Sequence, residues 1–516
     1  MNGCRFSPLV ALLVLAGCTV GPQYKPPAAP VASRFHAALP AGEAADATRL
    51  ANWWQQFDEP LLSELVSAAE KNSPTLSQAV ARIEQARAST GTADAAKLPT
   101  LDANLSLTRE GSKAAGASKT KTTVSKSLDA SWEIDLFGGK RKAAEAAYAR
   151  LAAQQANWHV ARISLAAETA ATYVNLRSCQ QRVALVQQDL DSRQQSARLT
   201  HSKIEGGFAA AADGLAVDAG LAAARERLTS QRVTCELQIK ALVELTGLDE
   251  APLRDKLSMA NSASSSTNAA TAADPANPAN SANASATDAA NPANPANPAN
   301  STNTATDMAR QVTGLPSPRL ISVNSVPAQT LAQRPDIAAA ELELRAASFD
   351  INVAEANRYP QFSLTGSIGN NRIRNGASTD TWSIIPALTQ PLFDAGARKA
   401  EVQAAQGRLA EAQGLYQQRV RAAVREIEET LVRLEGSAAR ETDSLASLAA
   451  QQRYFVSTGQ KTAVGHGSQF EVESARRDLL NAQLLLLDAR QERISAWISL
   501  YKALGGGWQA APAAPN

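Results

Sequence analysis

Leu15-Ala16-Gly17-Cys18 is the one motif whose residue types dictate a defined covalent chemistry. It follows a charged start, Met1 to Arg5, and an apolar run, Phe6 to Leu15. Small residues directly before a cysteine are what a bacterial lipoprotein signal peptidase requires, so cleavage between Gly17 and Cys18 is expected, with lipid on the Cys18 thiol. The apolar run is about half of the roughly 20 residues needed to span a bilayer, which makes it a leader. Thr19 to Pro30, rich in proline and alanine, reads as the tether of an anchored domain. An ordinary leader with an incidental cysteine is the competing reading.

Other reactive groups are sparse. Four histidines, and two mature cysteines besides Cys18, are too few and too dispersed for a metal site, so no metal and no cofactor are expected. No Gly-rich phosphate loop, nucleophile constellation or convergent His/carboxylate motif occurs, which argues against an enzyme. A net charge of +2 points to no nucleic-acid partner.

The elements that position these residues come from a tandem duplication. Leu76 to Pro99 returns as Ile337 to Pro360, and Leu136 to Ala143 returns as Leu392 to Ala400 with one residue inserted. From there the halves stay 258 apart: Glu168–Leu176 matches Glu426–Leu434, and Gly207 matches Gly465. Each half reads as a helix, a pair of alternating segments, a very long helix, a glycine turn and another helix.

The expected divisions are a leader (1–17), a tether and equatorial segment (18–60), a first repeat (61–257), an insertion (258–313), a second repeat (314–508) and a tail (509–516). The insertion is built from Ser, Thr, Asn, Ala and Asn-Pro-Ala motifs, cannot bury a core and is expected to be disordered.

Leu101, Ala103, Leu105 and Leu107 alternate with polar residues, as do Leu128, Ala130, Trp132, Ile134 and Leu136, which predicts a hairpin over 99–137. Phe362, Leu364 and Ile368 with the segment Trp382 to Phe393, interrupted by Pro386, predict a second over 360–393. One apolar and one polar face suit lipid outside and water inside. A soluble sheet packed on one face is the alternative, but nothing else in the chain supplies its second apolar layer. Four strands cannot close alone in lipid, so a homotrimer of twelve strands is expected.

Two proline-free stretches, about Lys140 to Ile204 and Ala397 to Ala463, predict helices of about 100 Å. Val420, Val424, Ile427, Leu431, Leu434, Ala438, Leu445, Leu448 and Phe455 form a coiled-coil seam, interrupted by Glu441 and Gln452. Such helices pair as hairpins with turns at Gly206-Gly207 and Gly465-His466-Gly467. Cys179 and Cys235 each lie 28 residues from Gly207 and so come level. They are read either as a disulfide or as two free packing thiols.

Several segments resemble the outer-membrane factor family, the TolC-like channels of tripartite efflux systems, in its NodT-type lipoprotein branch. They are Cys18 with Gly21-Pro22-Gln23-Tyr24-Lys25-Pro26-Pro27, Asn52-Trp53-Trp54-Gln55-Gln56-Phe57-Asp58-Glu59-Pro60-Leu61, Gln333-Arg334-Pro335-Asp336-Ile337 and Gln390-Pro391-Leu392-Phe393-Asp394.

The resemblance implies a fold of mixed α and membrane β, in which four strands per chain complete a trimeric barrel and coiled-coil helices form a periplasmic α-barrel. It also implies an outer-membrane location, a passive export role, and two partners besides outer-membrane lipid: a periplasmic adaptor at the hairpin turns and an inner-membrane pump. The family's gate acid falls on Glu471. Its second acid falls on Ser474, a departure, although Glu473 is adjacent and Asp213 and Asp218 occupy the matching stretch of the first half. Ordinary solvated charges are the alternative for all four. A type I secretion outlet or a lipid-anchored scaffold are the rival functions.

Overall fold

The computed structural model describes residues 20–26, 34–40, 43–44, 50, 53–57, 59–114, 117–259, 315–316, 321–322 and 330–509. Gly17, Cys18 and residues 260–313 of the insertion lie outside them. In chain order the elements are β1 (Glu43–Ala44), a 3-10 turn (Trp53–Phe57), α1 (Pro60–Asn72), α2 (Pro74–Ala95), β2 (Thr100–Ala114), β3 (Ala117–Ile134), α3 (Gly139–Glu205) and α4 (Ala211–Thr246). There follow α5 (250–259), β4 (Ile321–Ser322), α6 (Pro335–Ala356), β5 (Gln361–Ile373), β6 (Ser378–Thr389), α7 (Ala397–Ala463) and α8 (Gln469–Ala503). The duplication is exact to the residue where the helices are longest: α3 and α7 each have 67 residues and start 258 apart.

One compact unit combines Ser77–Val160 with Pro335–Ala422. It holds a four-stranded antiparallel sheet in the order β2-β3-β5-β6. β3 and β6 each hand over to the following helix through a glycine with positive φ, Gly138 and Gly396, and a carboxylate that accepts from the first helical turn. Asp135 accepts from the Arg141 amide at 2.8 Å, and Asp394 from the Arg398 amide at 3.1 Å. The residue inserted in the second repeat, Ala395, takes φ +52°. Small residues let these helices approach: Ala146 and Ala149 pack against Ala346 and Phe349, and Val402 and Ala405 against Ile351 and Ala354.

The second unit combines Ala32–Leu76, Ala161–Arg334 and Ala423–Asn516. Its core is centred on aromatic residues, with Trp53 fully buried and stacked on Tyr501 at 5.1 Å. Arg334, buried, donates to the Ala503 carbonyl at 2.7 Å and to Glu426 at 2.9 Å. Gly505 follows with φ +83°, where an added Cβ would lie 2.2 Å from the Gln333 carbonyl oxygen. Along α7 the seam residues Val420, Ile427, Leu431, Leu434 and Leu448 are buried as their spacing predicts.

Several expectations need correction. Leu445 is exposed, because a straight helix drifts about 20° per heptad away from a strict seam. β3 begins at Ala117, well before Leu128, and β6 covers Ser378–Thr389 and runs through Pro386. An edge strand tolerates the missing N–H of proline. The helix α5 continues through residue 259, two residues into the expected insertion.

Candidate functional site

The sheet separates its side chains by face, because successive residues of a strand point to opposite sides. Leu101, Ala103, Leu105 and Leu107 share a face with Leu128, Trp132 and Ile134 of β3, Phe362, Leu364 and Ile368 of β5, and Trp382, Ile384 and Leu388 of β6. Leu105 is 73% exposed and Trp382 79%, far beyond what a water-facing sheet tolerates. The opposite face carries Asp102, Asn104, Ser106, Asp129, Ser131, Ser363, Thr365 and Ser367. There Asp129 accepts from Asn104 at 2.8 Å and Ser127 at 2.7 Å. Among the described residues, β2 and β6 each have a partner on one side alone.

The two helical hairpins end in the same backbone motif. Phe208 N donates to the Lys203 carbonyl and Gly207 N to that of Ile204; His466 N donates to Lys461 and Gly465 N to Thr462. This pairing requires a left-handed residue after the helix, which Gly207 (φ +77°) and Gly465 (φ +80°) supply. Gly206 is exposed beside Gly207, and Gly467 is half-buried against Thr462. Phe208, which periodicity does not single out, is 86% exposed at the first turn. The aromatic ring of Phe470 lies under the Lys203 ammonium at 4.2 Å.

The four acidic candidates fall into different settings. Asp213 and Glu471 occupy equivalent third positions of α4 and α8, where each accepts from the amide at the helix start: Ala210 N at 3.2 Å and Ser468 N at 3.4 Å. Ser468 Oγ accepts in return from Glu471 N at 3.3 Å, and Lys461 lies 3.8 Å from Glu471. Asp218 is exposed, 3.0 Å from His201. Glu473 is 1% exposed; Ser192 donates to it at 2.5 Å, Gln469 at 3.4 Å, and Arg476 stands 3.7 Å away.

Cys179 and Cys235 form a disulfide between α3 and α4, with Cα atoms 5.6 Å apart. Glu441, which breaks the seam of α7, accepts from Arg490 at 3.0 Å and Arg493 at 2.6 Å on α8. Burial works to raise its carboxyl, but the Arg493 and Arg490 guanidiniums overrule it and hold it below the ordinary glutamate range. A signal for this clamp existed in the sequence, an acid in an apolar seam, yet its partners lie about 50 residues away. Among the described residues no group of His, Cys, Asp and Glu could hold a metal ion, and no helix is long and apolar enough to cross a membrane.

The family pattern for outer membrane efflux proteins matches residues 65–248 and 326–506, which are the two repeats. The chain belongs to the outer membrane efflux protein family. Relatives span its whole length. It is 28% identical to the cation efflux system protein CusC of Escherichia coli O6:H1 (strain CFT073), over 99% of this chain and 100% of that one. It is 27% identical to the outer membrane protein OprJ of Pseudomonas aeruginosa, over 97% and 95%. The fold matches the CmeC outer membrane channel of Campylobacter jejuni with a TM-score of 0.74 and 21% identity, covering 96% of each chain. The expected fold class stands: helices of a channel wall with a four-stranded share of a β-barrel. The chain is an outer-membrane efflux channel whose large helical part is periplasmic.

Proposed function

We propose that three copies close the open sheet into a twelve-stranded barrel and form a passive conduit through which an inner-membrane pump, coupled by a periplasmic adaptor, exports small toxic compounds. The observation that carries this reading is a sheet with two unpaired edges and one exposed apolar face. In lipid, unsatisfied edges cost several kcal/mol per group, and edge-to-edge closure removes them. The polar face, with Asp102 and Asp129, then lines a wet lumen.

Within this reading the turns at Gly206-Gly207 and Gly465-Gly467 dock the adaptor. The acids beside them, Glu471, Asp213 and Asp218, ring the narrow end, repel one another and attract cations, and Glu473 fixes α8 against α3. Lipid on Cys18 adds a second anchor beside the barrel. Relatives include a cation efflux protein and a solvent efflux pump outer membrane protein of Pseudomonas putida, so the substrate panel must include metal salts and solvents as well as dyes and detergents. The test is purification of the full chain in detergent followed by planar-bilayer recording, and deletion of the gene followed by that panel. A heat-modifiable trimer that conducts, together with hypersensitivity to at least one class, is expected. A monomer without conductance would overturn the reading.

A further inference from the structure

The apolar face of the sheet changes character along its length. Over about 20 Å of strand, from Ile134, Phe362 and Leu388 up to Leu128, Ile368 and Trp382, it carries no ionisable side chain. Farther from the helices the same face presents Lys126, flanked by Leu105 and Asn370; Arg372, flanked by Val124 and Ser378; and Arg109, opposite Thr122. All three cations are exposed and have no ion-pair partner among the described residues. Lys126 and Arg372 are diagonal neighbours on adjacent strands, within reach of one ligand. Of the other basic residues toward this end, Lys121 points to the polar face, where its cross-strand partner is the oppositely charged Glu110, and Lys113 follows Arg109 on the cationic face, nearer the turn.

A shallow depression of about 670 Å³ opens on the apolar side around Lys126. Its floor is Leu105, Leu128 and Ile368, and its upper rim is Lys126, Asn370 and Asp380. Asn370 ties down the Asp380 carboxylate by donating to it at 2.6 Å, and Arg372 stands one diagonal step beyond the rim, so that the two cations Lys126 and Arg372 outnumber the one acid. Apolar below and cationic above, this surface has the charge complement of an amphiphile with a phosphate head. Long basic side chains at such a depth lay their stems on the apolar surface and carry the charge to the interface.

We propose that Lys126 and Arg372, with Arg109 beside them, bind the phosphate of an acylated lipid headgroup in the outer leaflet, its chains lying on Leu105, Leu128 and Ile368. The proposal rests on the reading that this face of the sheet meets lipid. The hairpin ends lie opposite the periplasmic helices, so the rim belongs to the outer leaflet.

The experiment measures the dissociation temperature of the purified full-length oligomer in detergent while lipid is titrated. The probes are a diphosphorylated acylated glucosamine disaccharide (lipid A), the same lipid without its phosphates, and inorganic phosphate. The phosphorylated lipid is expected to raise the midpoint and the other two to leave it unchanged. The concentration needed should rise about fivefold for Lys126→Gln and about thirtyfold with Arg372→Gln added, while Lys126→Arg with Arg372→Lys behaves as the parent. Equal stabilisation by the dephosphorylated lipid, a response to phosphate alone, or a parental response from the double Gln variant would each overturn it. An oligomer that neither forms nor conducts would instead sink the underlying reading, which planar-bilayer recording on the same sample reveals.

Discussion

The hairpins α3–α4 and α7–α8 share length, turn geometry and origin, yet they are fastened by different chemistry. In the first, Cys179 and Cys235 cross-link the helices. In the second, Ser437 and Arg493 stand at those positions, 258 residues on, and Arg493 joins Arg490 in clamping Glu441 one turn along α7. The two fasteners sit within one helical turn of the same height above their turns. Duplication preserved the geometry, which backbone and packing enforce, and left the bonding free to diverge. The same split recurs nearer the turns, where exposed Leu215 corresponds to buried Glu473, and Ala210 to the capping Ser468.

The largest test of this contrast is the covalent one. Replacing both cysteines by alanine, Cys179→Ala with Cys235→Ala, should lower stability by about 4 kcal/mol, given the 56-residue separation and the loop entropy it restores. Reductant should do the same to the parent, read as the urea midpoint of the helical part. Next come the glycines that end the two repeats. Gly505→Ala pushes a Cβ to 2.2 Å from a carbonyl oxygen and should cost about 3 kcal/mol, whereas Gly247→Ala meets Asn72 Cβ at 3.1 Å and should cost about 1–2 kcal/mol, the price of the left-handed backbone. Thermal melts of the pair check the order.

Glu441→Ala leaves two half-buried guanidiniums without their acid and should cost about 2 kcal/mol. Because the folded carboxyl is depressed, its contribution is full above the ordinary glutamate value, about 4.3, and is lost as the pH falls through the lower folded value. Acid should therefore loosen the second hairpin and spare the first, with reductant doing the reverse; hydrogen exchange resolved by segment reads both. The smallest effect is at the caps: Ser468→Ala should cost about 1 kcal/mol, and Ala210→Ser should gain a comparable amount, again by thermal melt.

Much of this was legible in the sequence because proline-free length and a terminal glycine leave little choice, so α7 begins and ends where expected. β3 was underestimated because Ala117 to Ser127 is mostly Ser, Thr and Lys, and alternation cannot be seen where nearly all residues are polar. Glu473 was equally opaque. An acid near a turn reads as a solvated or gating charge, and its burial depends on Ser192 on another helix. The level pairing of Cys179 and Cys235 could be computed from the turn, but the carboxylate clamp could not, since an acid within a seam does not announce its partner.

The disulfide also has a consequence in time. Both of its cysteines belong to the first repeat, so the bond can be made in an oxidising compartment while more than half of the chain has yet to be exported. The first hairpin then waits as a locked template, and the second, fastened by reversible charge, is free to find its place against it.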